Sequence, residues 1–184
     1  MSSDTNQVVS LLKELATDPP TQFKIVAVRS DTDLQAVIEC MTEYVEWLDL
    51  DLSFQGWVDE IAAMPGKYAP PTGELLVAKS ANGTALGCVA LRPLSEGICE
   101  MKRLWVRDTA KGMGVGRALV SNAIDFAKKL GYHAIRLDTL PRMIAALKMY
   151  ASFGFIEIDP YYTTPLPGTH FLELDLTKGP DCSN

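Results

Sequence analysis

A glycine-rich segment between a predicted strand and a predicted helix restricts this sequence more than any other feature. The segment reads LWVRDTAKGMGVGRAL and contains Gly112, Gly114 and Gly116 at alternate positions. Glycine lets successive backbone N–H groups turn toward one point and approach an anion closely. The N-terminus of the helix that follows adds unpaired N–H donors and the positive end of the helix dipole. Lys111 and Arg117 add positive charge, so the segment predicts a pyrophosphate site.

The spacing of these glycines argues against two common nucleotide loops. A P-loop reads G-x-x-x-x-G-K-[ST], and from Gly112 its second glycine falls on Arg117. A dinucleotide fingerprint reads G-x-G-x-x-G, and its third glycine falls on Arg117 or, when read from Gly114, on Leu119. A nicotinamide-dependent dehydrogenase is therefore disfavoured. The spacing fits [QR]-x-x-G-x-[GA] instead, with Lys111 in the first position, and a glycine-rich turn without a ligand remains the alternative.

The rest of the chain predicts one mixed α/β domain. Apolar and β-branched runs predict strands at 23–29, 74–79, 85–91, 98–106, 133–138, 155–158 and 170–176. Apolar residues at helical spacing predict helices at 33–48, 115–130 and 143–153, with a short helix and a loop within 49–71. We predict an N-terminal extension over 1–20 that contains a short helix at 8–16, the domain over 21–178, and a C-terminal tail over 179–184.

Local signals predict where two of these elements begin or turn. Asp31 or Thr32 can cap the helix at 33–48, because short polar side chains accept hydrogen bonds from the first helical N–H groups. Asn82-Gly83 predicts a tight hairpin, because both residues accept positive φ. The middle of the chain is thus expected to form an antiparallel meander.

Composition excludes several classes of function. A chain of 184 residues with 47% apolar residues has the composition of an ordinary globular protein. The net charge of −6 argues against a general nucleic-acid binder, which needs a basic face. The N-terminal sequence has neither the basic start nor the long apolar run of a signal peptide or membrane span. We therefore expect a cytoplasmic protein with no nucleic-acid or membrane partner.

The cysteines and histidines do not predict a metal site. No C-x-x-C pair occurs, and the spacing between cysteines and histidines does not suit zinc. Scattered cysteines in a chain of this size are expected to be reduced and mostly buried. The residues concerned are Cys40, Cys88, Cys99, Cys182, His133 and His170. We assign the two histidines no role.

A second motif strengthens the interpretation of the glycine segment. Residues 143–155 read MIAALKMYASFGF, which resembles the pattern N-x-x-A-x-x-L-Y-x-x-x-G-F at Ala146, Met149, Tyr150, Gly154 and Phe155. With the glycine segment, this motif makes the chain similar to the GNAT superfamily of N-acetyltransferases. The strings EMKRLWV, LDTLPRM and YASFGF resemble a widespread group of uncharacterised bacterial and fungal members. The chain departs from the family pattern at Lys111, where Arg or Gln is usual, and at Met143, where Asn is common.

The resemblance implies a fold and a co-substrate. The fold is a central mixed sheet, flanked by helices, whose middle strands splay apart. The co-substrate is acetyl-CoA, with its pantetheine arm in the gap and paired with the backbone around Leu104 and Val106. A backbone N–H near Leu104 is expected to stabilise the oxyanion. The residues that the resemblance assigns to the cofactor are Leu104, Trp105, Val106, Lys111, Gly112, Met113, Gly114, Val115, Gly116, Arg117, Thr139, Met143, Ala146 and Tyr150.

Glu100 is the candidate general base for deprotonating the amine. It lies in the strand that leads to the glycine segment, at the position where relatives that use a glutamate base carry it. In an extended strand Glu100 and Lys102 share a face with Leu104 and Val106, which predicts that Glu100 lies near the acetyl group. The alternative is that Glu100 forms a structural ion pair with Lys102 or Arg103.

Tyr150 is the candidate general acid for the departing thiolate. The resemblance places it on the helix after the second cofactor strand, where relatives carry a tyrosine near the thioester sulfur. A hydroxyl there can donate to a thiolate whose own pKa is about 8.5. The alternative is a core aromatic with Leu147 one turn before it and Phe153 about one turn after it.

Aromatic residues mark the expected acceptor region. The region that covers the acceptor in relatives contains Tyr44, Trp47, Phe54 and Trp57 here, and most of these are expected to be core. We retain Tyr44 and Trp47 as substrate candidates, together with Tyr161 and Tyr162 in a proline-flanked loop.

We predict direct acetyl transfer to the primary amine of a small molecule by a monomer or homodimer. The acidic balance of the chain favours a cationic acceptor. The alternatives are a peptide N-terminus or lysine acceptor, an O-acceptor, a longer acyl donor, and a binding module without turnover. The presence of both Glu100 and Tyr150 argues against the binding module.

Overall fold

The computed structural model describes residues 23–50 and 56–178. The predicted extension with its helix, the C-terminal tail, Phe54 and Cys182 lie outside the described residues. Within them the chain forms a seven-stranded sheet in the order β1-β2-β3-β4-β5-β7-β6. The strands are β1 (Phe23–Ala27), β2 (Glu74–Ser80), β3 (Ala85–Ser95), β4 (Ile98–Val106), β5 (Ala134–Thr139), β6 (Ile156–Glu157) and β7 (His170–Asp175).

Among the described residues, four α-helices cover the two faces of the sheet. They are α1 (Asp31–Leu48), α2 (Trp57–Ala62), α3 (Val115–Lys129) and α4 (Ile144–Ser152), with 3-10 turns at Gly66–Tyr68 and Asp108–Ala110. Helices α3 and α4 pack on one core with alternate sheet residues such as Leu91 and Met101. Helices α1 and α2 pack on the opposite core with Ala90 and Cys88. None of the described helices has the length and apolar character needed to cross a membrane.

The predicted mixed α/β fold is confirmed, and its local signals need two corrections. Helix α1 begins at Asp31, because the Ser30 side chain, and not Asp31 or Thr32, accepts the capping hydrogen bond from the Asp33 N–H at 3.2 Å. The β2–β3 hairpin forms as predicted, but only Gly83 in it takes positive φ. The buried state expected of the cysteines holds for Cys40, Cys88 and Cys99.

The sheet opens at its centre. Strands β4 and β5 run parallel, and α3 makes the crossover that a parallel pair requires. Their pairing is confined to three residue pairs, from Ile98↔Ala134 to Glu100↔Arg136. Beyond these pairs β4 continues to Val106, while β5 pairs along its whole length with β7 on its other side. The splayed centre that the resemblance implies is therefore present.

A β-bulge interrupts β4 at Arg103. Between the pairs Ala90↔Lys102 and Cys88↔Trp105, β3 advances two residues while β4 advances three. Arg103 takes the left-handed conformation with φ 57°, which is uncommon for a residue with a side chain. An extra residue shifts the alternation of side chains that follows it.

The bulge corrects the prediction that Glu100, Lys102, Leu104 and Val106 share a face. Before the bulge, Lys102 lies opposite Ala90 of the α1-side core, and Glu100 shares its face. After the bulge, Leu104 and Val106 pack against the α3-side core. The two pairs of residues therefore point to opposite faces of the sheet, and the alternation rule failed because it assumes an uninterrupted strand.

Candidate active site

A central cleft lies where β4 and β5 part. It has a volume of about 700 Å³ with its mouth included, and α1, β4, the end of β5 and α4 supply its walls. Five of the residues predicted to contact the cofactor line it, namely Leu104, Thr139, Met143, Ala146 and Tyr150. Met143 stands at the N-cap of α4 and makes no side-chain capping hydrogen bond there, as expected where Asn is replaced by Met.

The glycine segment follows β4 and begins α3. Gly112 and Gly114 take positive φ, 80° and 79°, and Gly114 is the N-cap residue of α3. Within the described chain no side chain caps this helix end, so the first N–H groups of α3 remain available. A Cβ added to Gly112 or Gly114 would meet no atom within 4 Å. The segment thus combines an uncapped helix N-terminus with open space in front of it, which suits an anion.

The side chains of the glycine segment make contacts with other parts of the protein. Lys111 contacts Asp108 at 2.5 Å and lies 5.9 Å from the centre of the Trp47 ring. Arg117 donates to the Ser152 hydroxyl at 2.8 Å. Val115 is buried in the core, whereas Met113 is partly exposed. The backbone of the segment, more than these side chains, forms the candidate anion site.

Trp105 is not among the residues that line the central cleft. Its ring packs 5.8 Å from Tyr44 and 5.3 Å from Trp47, both on α1. Tyr44 also lines the central cleft, whereas Trp47 is nearly half exposed at its edge. Of the two α1 aromatics predicted for the acceptor, the structure therefore brings only Tyr44 to the cleft wall.

Tyr150 reaches the central cleft from the α4 side. Its ring packs on Phe155 at 5.5 Å, which agrees with the alternative of a core aromatic. The side chain nevertheless lines the cleft. Burial, and then the neighbouring Tyr44 and Asp138, raise the pKa of Tyr150 above its ordinary value. The hydroxyl therefore stays protonated at neutral pH and is able to donate.

A second cleft, here called the lateral cleft, adjoins the central one. Its lining residues are Glu60, Lys67, Arg92, Leu94, Glu100, Lys102, Arg103, Tyr161, Tyr162 and Thr163. Lys102 and Arg103 line both clefts, so the two meet at the bulge. Glu100, Tyr161 and Tyr162 thus come together in the lateral cleft, next to the cleft that contains Tyr150.

Glu100 is held by three side chains. Only 1% of it is exposed, and its Oε2 accepts a hydrogen bond from Arg92 Nε at 2.7 Å. Its Oε1 accepts from the Tyr161 hydroxyl at 2.8 Å and lies 3.8 Å from Lys102 Nζ. The predicted contact with Lys102 is therefore present but long. Arg103 instead forms a bidentate pair with Glu60, with both bonds at 2.8 Å.

The loop between β6 and β7 carries Tyr161 and Tyr162 into the lateral cleft, where they pack on Phe171 of β7. Tyr161, Tyr162 and Phe171 pack edge to face, with ring centres 5.1 to 5.4 Å apart. Burial, followed by the charge of Glu100, raises the pKa of Tyr161. Burial and the charge of Asp138 raise the pKa of Tyr162. The Tyr162 hydroxyl is buried, yet in the described chain it makes no hydrogen bond of ordinary distance and angle.

Four site residues were not predicted from the sequence, namely Glu60, Arg92, Asp138 and Lys102. The sequence predicted Lys102 only as an ion-pair partner of Glu100. Lys102 Nζ lies 3.1 Å from Asp138 Oδ1. For Arg92, Lys102 and Asp138 the available signal was a charged residue inside an otherwise apolar strand, because such residues are rarely buried without a partner. Among residues 23–50 and 56–178, no three His, Cys, Asp or Glu side chains gather as metal ligands.

The fold and the paired clefts define the class of protein. The structure matches an acetyltransferase of the GNAT family from Staphylococcus aureus with a TM-score of 0.70 and 19% identity, covering 84% of this chain and 99% of that one. The sequence matches the family model described as the acetyltransferase (GNAT) family over residues 36–155. The chain belongs to this family.

Relatives agree with the assignment. The chain is 42% identical to an uncharacterised N-acetyltransferase of Schizosaccharomyces pombe, over 86% of this chain and 98% of the relative. It is 30% identical to an N-acetylaspartate synthetase of Danio rerio, over 59% of this chain and 39% of the relative. The protein is therefore an N-acetyltransferase, and acetyl-CoA, which this family uses, is its acyl donor.

Proposed function

We propose that this enzyme moves the acetyl group of acetyl-CoA directly to the primary amine of a small molecule. The observation that carries the proposal is the meeting of two clefts at Lys102 and Arg103. The central cleft presents Tyr150 and Leu104, the first residue of the glycine segment. The lateral cleft presents Glu100. A donor in the first and an amine in the second would place the two reactants side by side.

The central cleft suits the donor along its length. The backbone of the glycine segment and the N-terminus of α3 would hold the pyrophosphate. The edge of β4 after Glu100 has no pairing with β5, and backbone groups left without a partner are available to an extended ligand. The pantetheine arm would pair with β4 around Leu104 and Val106. The Leu104 N–H would then meet the oxygen of the tetrahedral intermediate.

Two side chains would move protons. The amine transfers a proton to Glu100 as its nitrogen attacks the thioester carbon. The tetrahedral intermediate collapses as the carbon–sulfur bond breaks, and the Tyr150 hydroxyl donates a proton to the departing sulfur. Because Tyr161 already donates to Glu100 at 2.8 Å, the amine would have to approach the Glu100 carboxylate beside or through that hydroxyl.

The small size of the acceptor is supported by the lateral cleft and by a relative. The lateral cleft is bounded by the β6–β7 loop, where Tyr161 and Tyr162 pack against Phe171. The name of the Danio rerio relative indicates a small N-acetylated product. We place the enzyme in the cytoplasm as part of this proposal.

A turnover screen tests the proposal. The purified protein is supplied with acetyl-CoA and either free amines or short peptides with free N-termini and lysines, and the released CoA thiol is measured. We expect kcat/KM to be higher for at least one free amine than for any peptide. A peptide acetylated with a kcat/KM above that of every free amine would show that the acceptor is not a small molecule. Binding of acetyl-CoA without turnover of any acceptor would indicate a binding module.

A further inference from the structure

The lateral cleft is rich in positive charge although the chain is acidic overall. Its lining contains the cations Lys67, Arg92, Lys102 and Arg103 but only the carboxylates Glu60 and Glu100. Even with Asp138, which contacts Lys102 from the central cleft, the cations outnumber the carboxylates four to three. The whole chain has a net charge of −6. The acceptor region is thus a local exception to the charge of the molecule.

The contacts within the lateral cleft leave two cations able to bind a ligand. Arg103 gives Nε and Nη2 to the two oxygens of Glu60, and its side chain is only 3% exposed, against 24% for Arg92. Arg92 gives Nε and Nη2 to one oxygen of Glu100, and within the described residues its Nη1 makes no hydrogen bond. Lys67 is exposed and forms no ion pair within the same part of the chain. A guanidinium and an ammonium at one cleft wall are suited to bind a carboxylate.

The Tyr162 hydroxyl supplies an independent indication of a ligand. Tyr162 lines the lateral cleft, and its buried hydroxyl makes no hydrogen bond of ordinary distance and angle in the described chain, although the Asp138 carboxylate lies near enough to raise its pKa. A buried donor without a well-formed hydrogen bond is unfavourable, so such groups in native proteins commonly face a ligand or water. A ligand oxygen in the lateral cleft would satisfy it.

We propose that the lateral cleft selects amines that carry a carboxylate, so that the acceptor is an amino acid or a similar amino carboxylate. Arg92 and Lys67 bind the carboxylate, and the Tyr162 hydroxyl donates a hydrogen bond to the same ligand. The amine is thereby directed toward Glu100 at the bulge. A polyamine without a carboxylate would bring further positive charge against these cations. This inference rests on the function proposed above and names the chemistry of its acceptor.

Matched acceptor pairs test the inference. Each pair consists of an amino acid and its methyl ester or its decarboxylated amine, and kcat/KM is measured for both with saturating acetyl-CoA. We expect the carboxylate to raise kcat/KM about ten-fold or more, the effect of a hydrogen bond to a charged group. Equal or higher kcat/KM for the uncharged members would overturn the inference, while their turnover would still support the proposed function.

Two variants connect the preference to named residues. Lys67→Gln should lower kcat/KM for amino acids roughly five-fold and leave the esters unchanged, in the range of exposed ion pairs. Lys24→Gln, which alters an exposed lysine on β1, is the matched control and should change neither. Tyr162→Phe should raise KM for amino acids without lowering the melting temperature, because it removes a hydroxyl that makes no well-formed hydrogen bond within the described residues. A lower melting temperature with an unchanged KM would mean that Tyr162 has a structural role, and this result would count against the inference.

A binding measurement covers the case in which no free amine is turned over. Calorimetry with CoA present compares an N-acetylated amino acid with its methyl ester. Tighter binding of the free acid, weakened in Lys67→Gln, supports the carboxylate site even if the proposed reaction is wrong. Equal binding of acid and ester overturns the inference by itself.

Discussion

At the scale of the residue, Arg103 decides how the two clefts relate to each other. Arg103 takes a left-handed backbone conformation and forms a bulge that adds one residue to β4. Because of this extra residue, Glu100 and Leu104 lie on opposite faces of the sheet. Strain of this kind persists only where the surroundings hold it, and here Glu60 binds the guanidinium while Trp57 stacks 5.2 Å from it. The proposed base and the proposed oxyanion site therefore approach the reacting carbon from different sides.

Glu100→Gln tests the general base. The amide cannot accept a proton at neutral pH, so turnover should fall by about 10²- to 10⁴-fold, the usual contribution of a general base. Acetyl-CoA affinity, measured by calorimetry, should change little because Glu100 lies in the lateral cleft. Unchanged kcat with an unaltered pH–rate profile would mean that the amine loses its proton elsewhere, and Asp138→Asn would then be the next variant to examine.

Glu74→Gln is the matched control for the loss of a buried ion pair. Glu74 is 3% exposed and both its oxygens accept from Arg29, at 2.7 and 2.6 Å. It lines neither the central nor the lateral cleft. We expect both variants to lose stability, but only Glu100→Gln to lose turnover. This result would show that the lost turnover comes from catalysis and not from the folding of the protein.

Tyr150→Phe tests the general acid. The ring and its packing on Phe155 are kept, and only the hydroxyl donor is lost. We expect kcat to fall by about 10²-fold, at the lower end for a lost proton donor, with acetyl-CoA affinity retained. Tyr132→Phe, which removes a hydroxyl bonded to the Thr72 carbonyl at 2.7 Å, should leave kcat unchanged. An unimpaired Tyr150→Phe enzyme would leave Tyr150 with the role of a core aromatic.

At the scale of the element, the sequence predicted the strands and long helices because their patterns are local. Strand β4 begins and ends where its apolar run predicts, and α3 ends one residue before its predicted limit. The bulge at Arg103 has no such pattern, since no glycine or asparagine marks the left-handed position. Of the partners of Glu100, Arg92 lies directly opposite it across the β3–β4 hairpin, which is a local contact. Tyr161 was unpredictable, because it reaches Glu100 from the β6–β7 loop through the tertiary fold.

Gly114→Val tests the glycine segment as the pyrophosphate site. The added side chain occupies the open space in front of the N-terminus of α3, so acetyl-CoA binding should be lost in calorimetry. Gly83→Val is an equivalent change in the β2–β3 turn, because Gly83 has φ 86° and equally open surroundings. The two variants should lose similar stability, about 1–2 kcal/mol from the left-handed conformation. Retained affinity in Gly114→Val would place the pyrophosphate elsewhere.

The ion pair between α2 and the bulge should make stability depend on pH. Burial tends to raise the pKa of Glu60, but the hydrogen bonds and charge of Arg103 outweigh it, so the pKa lies below its ordinary value. A lowered folded pKa stabilises the protein above the unfolded pKa, about 4.3, and this stabilisation disappears as the pH falls below that value. The free energy of unfolding of Glu60→Gln should therefore fall less steeply with acidification than that of the unaltered protein.

The same variant should be destabilised at neutral pH. It leaves the buried Arg103 without its carboxylate, which costs about 3–5 kcal/mol in typical buried pairs. Glu173→Gln is the control, since its pair with Arg136 at 2.6 Å is about a quarter exposed and such pairs contribute about 0–1 kcal/mol. Denaturant titrations of both variants at several pH values provide the comparison. Equal losses would mean that the bulge does not depend on Glu60.

At the scale of the whole molecule, charge is distributed unevenly. The chain carries a net charge of −6, yet the lateral cleft holds a surplus of cations. Long-range attraction by the acidic surface and short-range binding in the cleft therefore favour different parts of an amino carboxylate. In the proposed binding mode, the surface attracts the ammonium group and the lateral cleft binds the carboxylate.

The gap between β4 and β5 also has a consequence for the cooperativity of the fold. Strands β1 to β4 and strands β5 to β7 form two half-sheets joined by three residue pairs and the α3 crossover. In the proposed binding mode, the donor adds hydrogen bonds at the centre of the sheet that the polypeptide itself does not make. Each departure of CoA then breaks this connection and each arrival of acetyl-CoA restores it. One sheet would thus be completed and interrupted once in every turnover.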